Sequence, residues 1–305
     1  MIGKSGGVLA RLVLIGLLFS LVPSLSVAQQ TPTPVDPAKE LDAAADAALA
    51  AMRAGPTEVR LRDQAVLRLP AGYGFIPSRE SQRLLRAMGN QPGSDLDGMV
   101  IDSTKPFAGW FVVIRHVPSG YVKDDDAKDW KADELLTSLR EGTEEANKER
   151  RSRGFPELEI VGWVERPAYD ARTHRLVWSA ETREKASASA ERGVNYNTYA
   201  LGREGYFSLN LVTDLALIGG LKPKAAELLS VLHYNEGKRY EDFNASTDRV
   251  AEFGLAALVA GAAAKKLGLF ALIGVFLVKF WKIAAIVAVA IGAGAFKLFR
   301  RKPAE

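Results

Sequence analysis

The chain has 305 residues, of which 48% are hydrophobic, 25% are charged and none is cysteine. This composition is that of a globular protein, and it excludes a wholly disordered, collagen-like or disulfide-stapled chain. The absence of cysteine also excludes thiol nucleophiles, cysteine-ligated zinc and iron–sulfur clusters.

The net charge of +4 is distributed unevenly along the chain. Residues 1–28 contain two basic and no acidic side chains, and residues 251–305 contain eight basic and two acidic ones. The whole chain has 40 basic and 36 acidic side chains, so residues 29–250 carry 30 against 34, a net charge of −4. Because a phosphate backbone attracts a basic surface, this acidic middle predicts no binding to nucleic acid.

Residues 1–28 have the pattern of a secretory signal peptide. Lys4 and Arg11 precede an apolar run of 11 residues at 12–22, and small residues precede a cleavage site after position 28. Eleven residues span about 16 Å as a helix, which is too short for a hydrocarbon core of about 30 Å. We therefore expect export, with the signal either cleaved or retained as an anchor, followed by a Pro-rich linker at 29–37.

The middle of the chain, residues 38–249, is predicted to form one exported domain. Hydrophobic periodicity predicts helices at 38–54, 78–88, 124–151 and 223–234, and strands at 57–61, 64–69, 98–101, 109–117, 158–165, 174–180, 194–201 and 206–212. Residues 69–77 are predicted as a glycine-rich loop, and 181–192 as a mobile connection. This order has too few strand–helix–strand crossovers for a doubly wound parallel sheet. We therefore expect an α+β fold in which helices cover one face of a mainly antiparallel sheet.

The C-terminal part is predicted to hold the protein in a membrane. An Ala-rich juxtamembrane helix at 250–266 leads to an anchor at 267–298 and a basic tail at 299–305. As one helix, the apolar stretch at 267–296 would be about 45 Å long, enough to cross the bilayer with tilt. A short interfacial helix followed by a shallow crossing is the alternative.

Five side chains belong to residue types that commonly position a membrane anchor. Lys279 and Lys282 lie three residues apart on one helix face, where they reach the membrane surface or pair with a partner. Trp281 is typical of a membrane interface. Arg300 and Arg301 place the C-terminus in the cytoplasm by the positive-inside rule.

Asp124, Asp125 and Asp126 are the densest polar signal in the predicted domain. Clustered carboxylates suit Ca²⁺ or Mg²⁺, but the spacing lacks the alternating ligands of an EF-hand loop. The same residues stand where the helix at 124–151 is predicted to begin. Capping of that helix is therefore the alternative to a ligand or metal site.

Asn195, Asn197 and Asn210 lie in predicted strands, where asparagine is disfavoured. Asn195 and Asn197 share one face by the two-residue period of a strand, and that face is directed to solvent or lines a cleft. Solvent exposure is the commoner arrangement. Arg203 lies in a Gly-flanked turn, where it either forms a surface ion pair with Glu204 or binds an anionic group. A ligand site of Asp124, Asp125, Asp126, Asn195, Asn197 and Arg203 requires these groups to meet in one pocket.

Several motifs resemble the bacterial DUF2167 family. They are WFVV at 110–113, GYVKDDDA at 120–127, EGTEEANKER at 141–150, GFP at 154–156, GW at 162–163, NYNT at 195–198, LGREG at 201–205, KRYEDFN at 238–244 and GLAALVAGAAAKK at 254–266. The resemblance covers roughly residues 57–300. It implies a bacterial envelope protein with a C-terminal anchor and supplies no activity. The order of strands and helices is also loosely similar to PsbP/Mog1-like folds, which says nothing about function.

These observations favour a non-catalytic binding or assembly domain. It would be tethered to the bacterial inner membrane with its main domain in the periplasm, and it would need no cofactor. An envelope protein or a second copy of the chain is the expected partner. The alternative is a metal-dependent enzyme or small-ligand binder that uses the carboxylates at 124–126.

Overall fold

The computed structural model describes residues 37–185 and 192–260. The predicted signal peptide, nearly all of the Pro-rich linker, and the anchor with its basic tail lie outside the described residues. Within the described ranges, none of the helices combines the length and the apolar character that crossing a bilayer requires.

Five α-helices and eleven strands follow one another along the described chain. The helices are α1 (Pro37–Ala50), α2 (Ser78–Ala87), α3 (Ala132–Ser152), α4 (Ile218–Ser230) and α5 (Ala256–Ala260). The strands are β1 (Arg53–Ala54), β2 (Thr57–Leu61), β3 (Ala65–Leu69), β4 (Tyr73–Pro77), β5 (Leu96–Asp102), β6 (Trp110–Val117), β7 (Leu158–Asp170), β8 (Arg175–Glu184), β9 (Gly193–Leu201), β10 (Tyr206–Asp214) and β11 (Leu232–Tyr234).

The strands form one large and one small sheet. The large sheet has eight strands in the order β1-β4-β5-β6-β10-β9-β8-β7, and the small sheet has the order β11-β3-β2. Every pairing between these strands is antiparallel. The predicted α+β fold with a mainly antiparallel sheet is therefore confirmed.

The large sheet is covered on both faces, so the prediction of a single covered face is wrong. Alternate residues of β6 show this: Val112 and Ile114 pack with α4 and the small sheet, whereas Phe111 and Val113 pack with α1 and α2. Both sets are buried. A central strand that is apolar on both faces needs a cover on each of them.

Several predicted boundaries are wrong. Residues 69–77 contain β4, because Tyr73 and Phe75 are buried between β1 and β5. The long helix begins at Ala132 rather than at 124, because Trp130 has an extended backbone (φ −69°, ψ 137°). The last predicted helix is α4, which begins at Ile218 and accommodates Pro223 in its interior.

The strand predicted at 158–165 runs on to Asp170. β7 tolerates Pro167 because it is an edge strand and because Pro167 lies in the register shift between Glu165 and Ala168, outside the residues paired with β8. The predicted helix at 38–54 ends at Ala50, and Arg53 and Ala54 form β1. Of the predicted juxtamembrane helix, the described residues contain the short helix α5.

Candidate functional site

Four polar side chains lie together on the face of the large sheet beneath α3. We call Thr182, Asn195, Asn197 and Asn210 the polar patch. Their residues are only 1%, 5%, 4% and 7% exposed. Asn197 of β9 lies directly opposite Asn210 of β10 on one side and Trp178 of β8 on the other. These three residues therefore form one row across the sheet.

The alternation of β9 explains how asparagine reaches a buried position. Val194 and Tyr196 point to the opposite face, where they join the apolar core beneath α4. Their burial and the pairing of β9 with two neighbours fix the strand and its register. Asn195 and Asn197 are thereby held on the α3 side, whatever the local preference of asparagine.

A small cavity lies over the polar patch. It is lined by Leu139, Ile160, Trp178, Ala180, Thr182, Asn195, Asn197 and Asn210. Its volume of about 10 Å³ is close to the space that one water molecule needs. None of these eight lining side chains is ionisable. The cavity therefore offers hydrogen-bonding groups and apolar walls, without an acid or a base.

Four polar atoms of the residues that line this cavity lack partners. The Asn210 amide donates to Asn195 Oδ1 at 3.2 Å, and the Asn197 amide donates to the Asn195 carbonyl at 3.2 Å. Trp178 Nε1, Thr182 Oγ1, Asn195 Nδ2 and Asn210 Oδ1 have no hydrogen-bond partner within residues 37–185 and 192–260. Each such buried group costs about 1–3 kcal/mol, which an occupant of the cavity would recover.

Helix α3 covers the cavity and is fastened mainly to the edge strand β7. Asn147, fully buried, donates to the Leu158 carbonyl at 2.7 Å and accepts from the Leu158 N–H at 2.9 Å. Arg140 donates to the carbonyls of Ile160 and Val161 at 3.1 and 2.6 Å. These side chains occupy backbone groups that an edge strand would otherwise leave open.

The three predicted aspartates have different surroundings. Asp124 accepts a hydrogen bond from the Tyr169 hydroxyl at 2.7 Å and lies 3.7 Å from His174 Nδ1. Asp126 accepts from the backbone N–H groups of residues 255 and 256 at 3.1 and 3.0 Å, at the start of α5. Asp125 is exposed. They do not cap α3, which begins at Ala132.

Metal binding has no support in the described part of the chain. No three His, Asp or Glu side chains there lie close enough to hold a metal ion.

Burial, followed by the hydrogen bond to Asp124, raises the pKa of Tyr169 well above its usual value. This phenol therefore stays protonated and serves Asp124 as a hydrogen-bond donor.

An aromatic stack connects the loop before α3 to a later segment, residues 235–255, which we call the strap. His174 stacks on Tyr240 (4.1 Å between ring centroids), Tyr240 on Tyr121 (4.3 Å) and Tyr121 on Phe243 (3.8 Å). Tyr121 also pairs with the strap through its backbone N–H and carbonyl. Gly120 permits this approach, because a Cβ there would lie 2.5 Å from the Arg249 carbonyl oxygen.

Arg203 fastens the strap to the β9–β10 turn. Its guanidinium donates to both carboxylate oxygens of Asp248, at 2.6 and 2.8 Å, and to the Gly237 carbonyl at 3.2 Å. This pair holds the pKa of Asp248 well below its usual range. The predicted partner Glu204 instead accepts from Lys238 and Gln64. Arg203 is therefore engaged within its own chain.

The structure thus brings two of the six predicted site residues together, Asn195 and Asn197. They are buried, so the expected solvent exposure is wrong, because α3 covers their face. Asp124, Asp126 and Arg203 contact residues of the strap or residues stacked on it.

Three contributors to the cavity were missed as site residues. Asn210 was noted as an unusual strand residue, and its pairing with Asn197 follows only from the hairpin register. Trp178 was inside a predicted strand, on the same face as Thr182 by the two-residue period. Thr182 was missed because the predicted strand stopped at residue 180, whereas β8 continues to Glu184.

Comparisons with known proteins give one family and several distant structures. The model of the family described as "Protein of unknown function (DUF2167)" matches residues 53–292. No curated protein matches the chain.

Three solved structures that are similar to the chain are distant from it in sequence. The solution structure of cyanobacterial PsbP (CyanoP) from Synechocystis sp. PCC 6803 is 12% identical, covering 60% of this chain and 91% of that one, with a TM-score of 0.35. A mutant of the protein Mog1 is 11% identical, covering 58% and 94%, with a TM-score of 0.30. The Saccharomyces cerevisiae Ran-binding protein Mog1p is 10% identical, covering 58% and 94%, with a TM-score of 0.30.

Proposed function

Since the chain belongs to the DUF2167 family of proteins of unknown function, we propose from its own residues that it is a membrane-tethered binding domain without catalytic activity. Its binding site is the cavity between α3 and the large sheet. The ligand group that enters this site is small, polar and uncharged.

One observation carries this proposal. Thr182 Oγ1, Asn195 Nδ2 and Asn210 Oδ1 are buried around one cavity and have no partner within the described ranges. Proteins rarely leave such groups without a partner, so their convergence points to an occupant. The lining supplies hydrogen bonds and no ionisable group, which fits recognition of a neutral molecule rather than acid–base chemistry.

The tethered location rests on the sequence. The signal pattern at 1–28, the apolar stretch at 267–298 and the basic tail at 299–305 support an inner-membrane protein with its main domain in the periplasm. Lys279 and Lys282 are the proposed contacts within the membrane for an envelope protein or a second copy of the chain.

The strap and the start of α5 are held firmly against the rest of the described domain. Arg203 and Tyr121 bind it at separate points, and Tyr199 donates to the Leu258 carbonyl at 3.0 Å. The alternative metal-dependent function at 124–126 is not favoured, because Asp124 and Asp126 already accept hydrogen bonds from this chain.

The tether is tested by fractionating cells that produce the full chain with a C-terminal tag. We expect the protein in the membrane fraction after a high-salt wash. Protease added to spheroplasts should digest the domain and leave the tag protected. Recovery of the intact chain in the salt-washed soluble fraction would contradict the tether.

The cavity is tested by thermal unfolding of the detergent-solubilised full chain with glycerol, D-glucose, N-acetylglucosamine, acetamide, acetate and glucose 6-phosphate. At least one neutral compound should raise Tm, and each charged compound should act less than its neutral counterpart. The double variant Asn195→Leu/Asn210→Leu should lose the response. The control Thr198→Val, which alters the opposite face of β9, should keep it.

The binding proposal fails if no neutral compound raises Tm. It also fails if every such response is equally large in the double variant, because the rise in Tm then does not come from the cavity.

A further inference from the structure

The unpartnered atoms of the cavity differ in what they require from an occupant. Asn195 Nδ2 and Trp178 Nε1 are donors, Asn210 Oδ1 is an acceptor, and the hydroxyl of Thr182 acts as either. Asn195 and Asn210 are already joined by one hydrogen bond between their amides. The free donor of Asn195 and the free acceptor of Asn210 therefore belong to neighbouring side chains.

The space between these atoms limits the size of the occupying group. A volume of about 10 Å³ takes one oxygen atom with its hydrogens, and an amide with three heavy atoms does not fit. A hydroxyl group has the size of water and both accepts and donates one hydrogen bond. It can accept from Asn195 Nδ2 while donating to Asn210 Oδ1.

Charged groups fit these atoms poorly. A carboxylate brings no proton for Asn210 Oδ1, and an ammonium group cannot accept from Asn195 Nδ2. Neither ion meets an opposite charge among the eight lining side chains, so its burial would be costly. The remaining walls, Leu139, Ile160 and Ala180, suit the carbon atoms next to a hydroxyl group.

We propose that the cavity is the hydroxyl-binding end of a site for a neutral sugar, with α3 as its movable cover. This inference rests on the proposed function and names its ligand class. One sugar hydroxyl takes the place of the water that the cavity can hold. The rest of the ring occupies the space that opens when α3 moves away from the polar patch.

The attachment of α3 is suited to such movement. Its described buried residues are Leu135, Leu139, Thr143 and Asn147, so the buried side of this long helix is half polar. Its bonds to β7 through Arg140 and Asn147 are hydrogen bonds, which water can replace on opening. A cover held by a broad apolar face would open at a much larger cost.

The experiment uses the ¹⁵N-labelled full chain in detergent micelles and follows the side-chain NH₂ signals of Asn195 and Asn210 by NMR. These signals are assigned by their loss in Asn195→Leu and Asn210→Leu. The probes are D-glucose, D-galactose and D-mannose as free sugars, cellotriose as a sugar polymer, and acetamide as a neutral amide. We expect at least one free sugar or cellotriose, and not acetamide, to shift both signals in a saturable way.

Three further measurements make the result specific. Hydrogen exchange in residues 132–152 should change at least threefold in the presence of the sugar that binds, because α3 must reposition around it. Thr182→Val should weaken binding at least threefold, and Thr198→Val, its counterpart on the opposite face, should not. Because Thr182→Val replaces only one buried hydroxyl group, this variant still tests the site if the variant Asn195→Leu/Asn210→Leu does not fold.

The outcomes separate this inference from the proposed function. If acetamide shifts the signals and no sugar does, the hydroxyl site is refuted while a neutral binding site stands. If no probe shifts them, the cavity holds a structural water only, and both proposals fail. If a sugar binds but α3 exchange is unchanged, the role of α3 as a cover is refuted.

Discussion

The large sheet presents one face to two different helical covers. Beneath α1 and α2 this face is lined by apolar side chains, among them Met99, Phe111 and Val113. Beneath α3 the same face carries Asn195 and Asn210, which are equally inaccessible to solvent. The change from one region to the other takes place between adjacent strands, because Val113 of β6 lies directly opposite Asn210 of β10.

The apolar region and the polar region therefore make different contributions, the first to the stability of the fold and the second to hydrogen bonding. A fully buried Val or Phe stabilises the fold by about 1.5–3 kcal/mol, whereas a buried amide group without a partner costs about 1–3 kcal/mol. The apolar region therefore holds the sheet and its covers together. The polar region reduces stability and gains groups that can bind a ligand. Such a trade is typical of functional sites.

The largest expected effect comes from placing an amide in the apolar region. Val113→Asn should lower the free energy of unfolding by about 3–5 kcal/mol, because it removes a buried apolar side chain and adds an unpartnered amide. The reverse change opposite it, Asn210→Val, should alter stability by no more than about 1 kcal/mol, since it also removes an unpartnered oxygen. Urea unfolding of both variants measures the difference, and equal costs would show that the two regions do not differ.

The second effect concerns the attachment of α3. Asn147→Ala should cost about 2–4 kcal/mol, because it leaves both the N–H and the carbonyl of buried Leu158 without their partner. It should also speed hydrogen exchange in α3 more than in α2. Glu141→Ala, on the exposed side of the same helix, is the matched control and should change stability by less than about 0.5 kcal/mol. Equal exchange in both helices would contradict a separate α3 cover.

A third effect extends the comparison to a buried polar group on the opposite face, His116. Burial lowers the pKa of His116 to about 4. Between the usual histidine value near 6.5 and pH 4, the unfolded chain binds a proton that the folded chain does not, so stability falls as pH falls. The loss at pH 4 should reach about 3 kcal/mol.

His116→Phe should flatten this pH dependence of the free energy of unfolding, measured with urea from pH 7 to pH 4. His233→Phe, at an exposed position of β11, serves as the control and should leave the slope as in the unmodified chain. An unchanged slope in His116→Phe would rule out His116 as its source.

The smallest effect compares two buried threonines on opposite faces of the sheet. Thr198 donates to the Leu209 carbonyl at 3.1 Å, whereas Thr182 Oγ1 has no partner in the described ranges. Thr198→Val should therefore cost about 1 kcal/mol and Thr182→Val close to none. If Thr182→Val is the more costly, an ordered water already occupies the cavity and binds this hydroxyl.

The sequence was sufficient for the elements whose local signals and tertiary setting agree. β6 and the β9–β10 hairpin are dense in β-branched and aromatic residues, and both occur where predicted. β4 was not predictable, because Gly72 and Gly74 are typical of a loop. Its strand character comes from pairing with β1 and β5, which lie apart from it in sequence.

The candidate site was predictable only in part. The two-residue period placed Asn195 and Asn197 on one face, which is correct. Their burial depends on α3 docking through Arg140 and Asn147, and no local pattern indicates those contacts. Asp126 has the residue type of a helix cap, but it caps a helix 130 residues further along the chain. Such a partner is set by the topology rather than by neighbouring residues.

The strap is synthesised after every strand of the large sheet. A chain that stops after β10 contains every strand of the large sheet, but its Tyr121 and Arg203 lack their partners Tyr240 and Asp248. The contacts of Tyr121 and Arg203 with the strap therefore form only in a chain that includes the strap. Translation products that stop soon after β10 would expose the surface that the strap covers, and proteases of the cell could cleave them there in preference to the finished molecule.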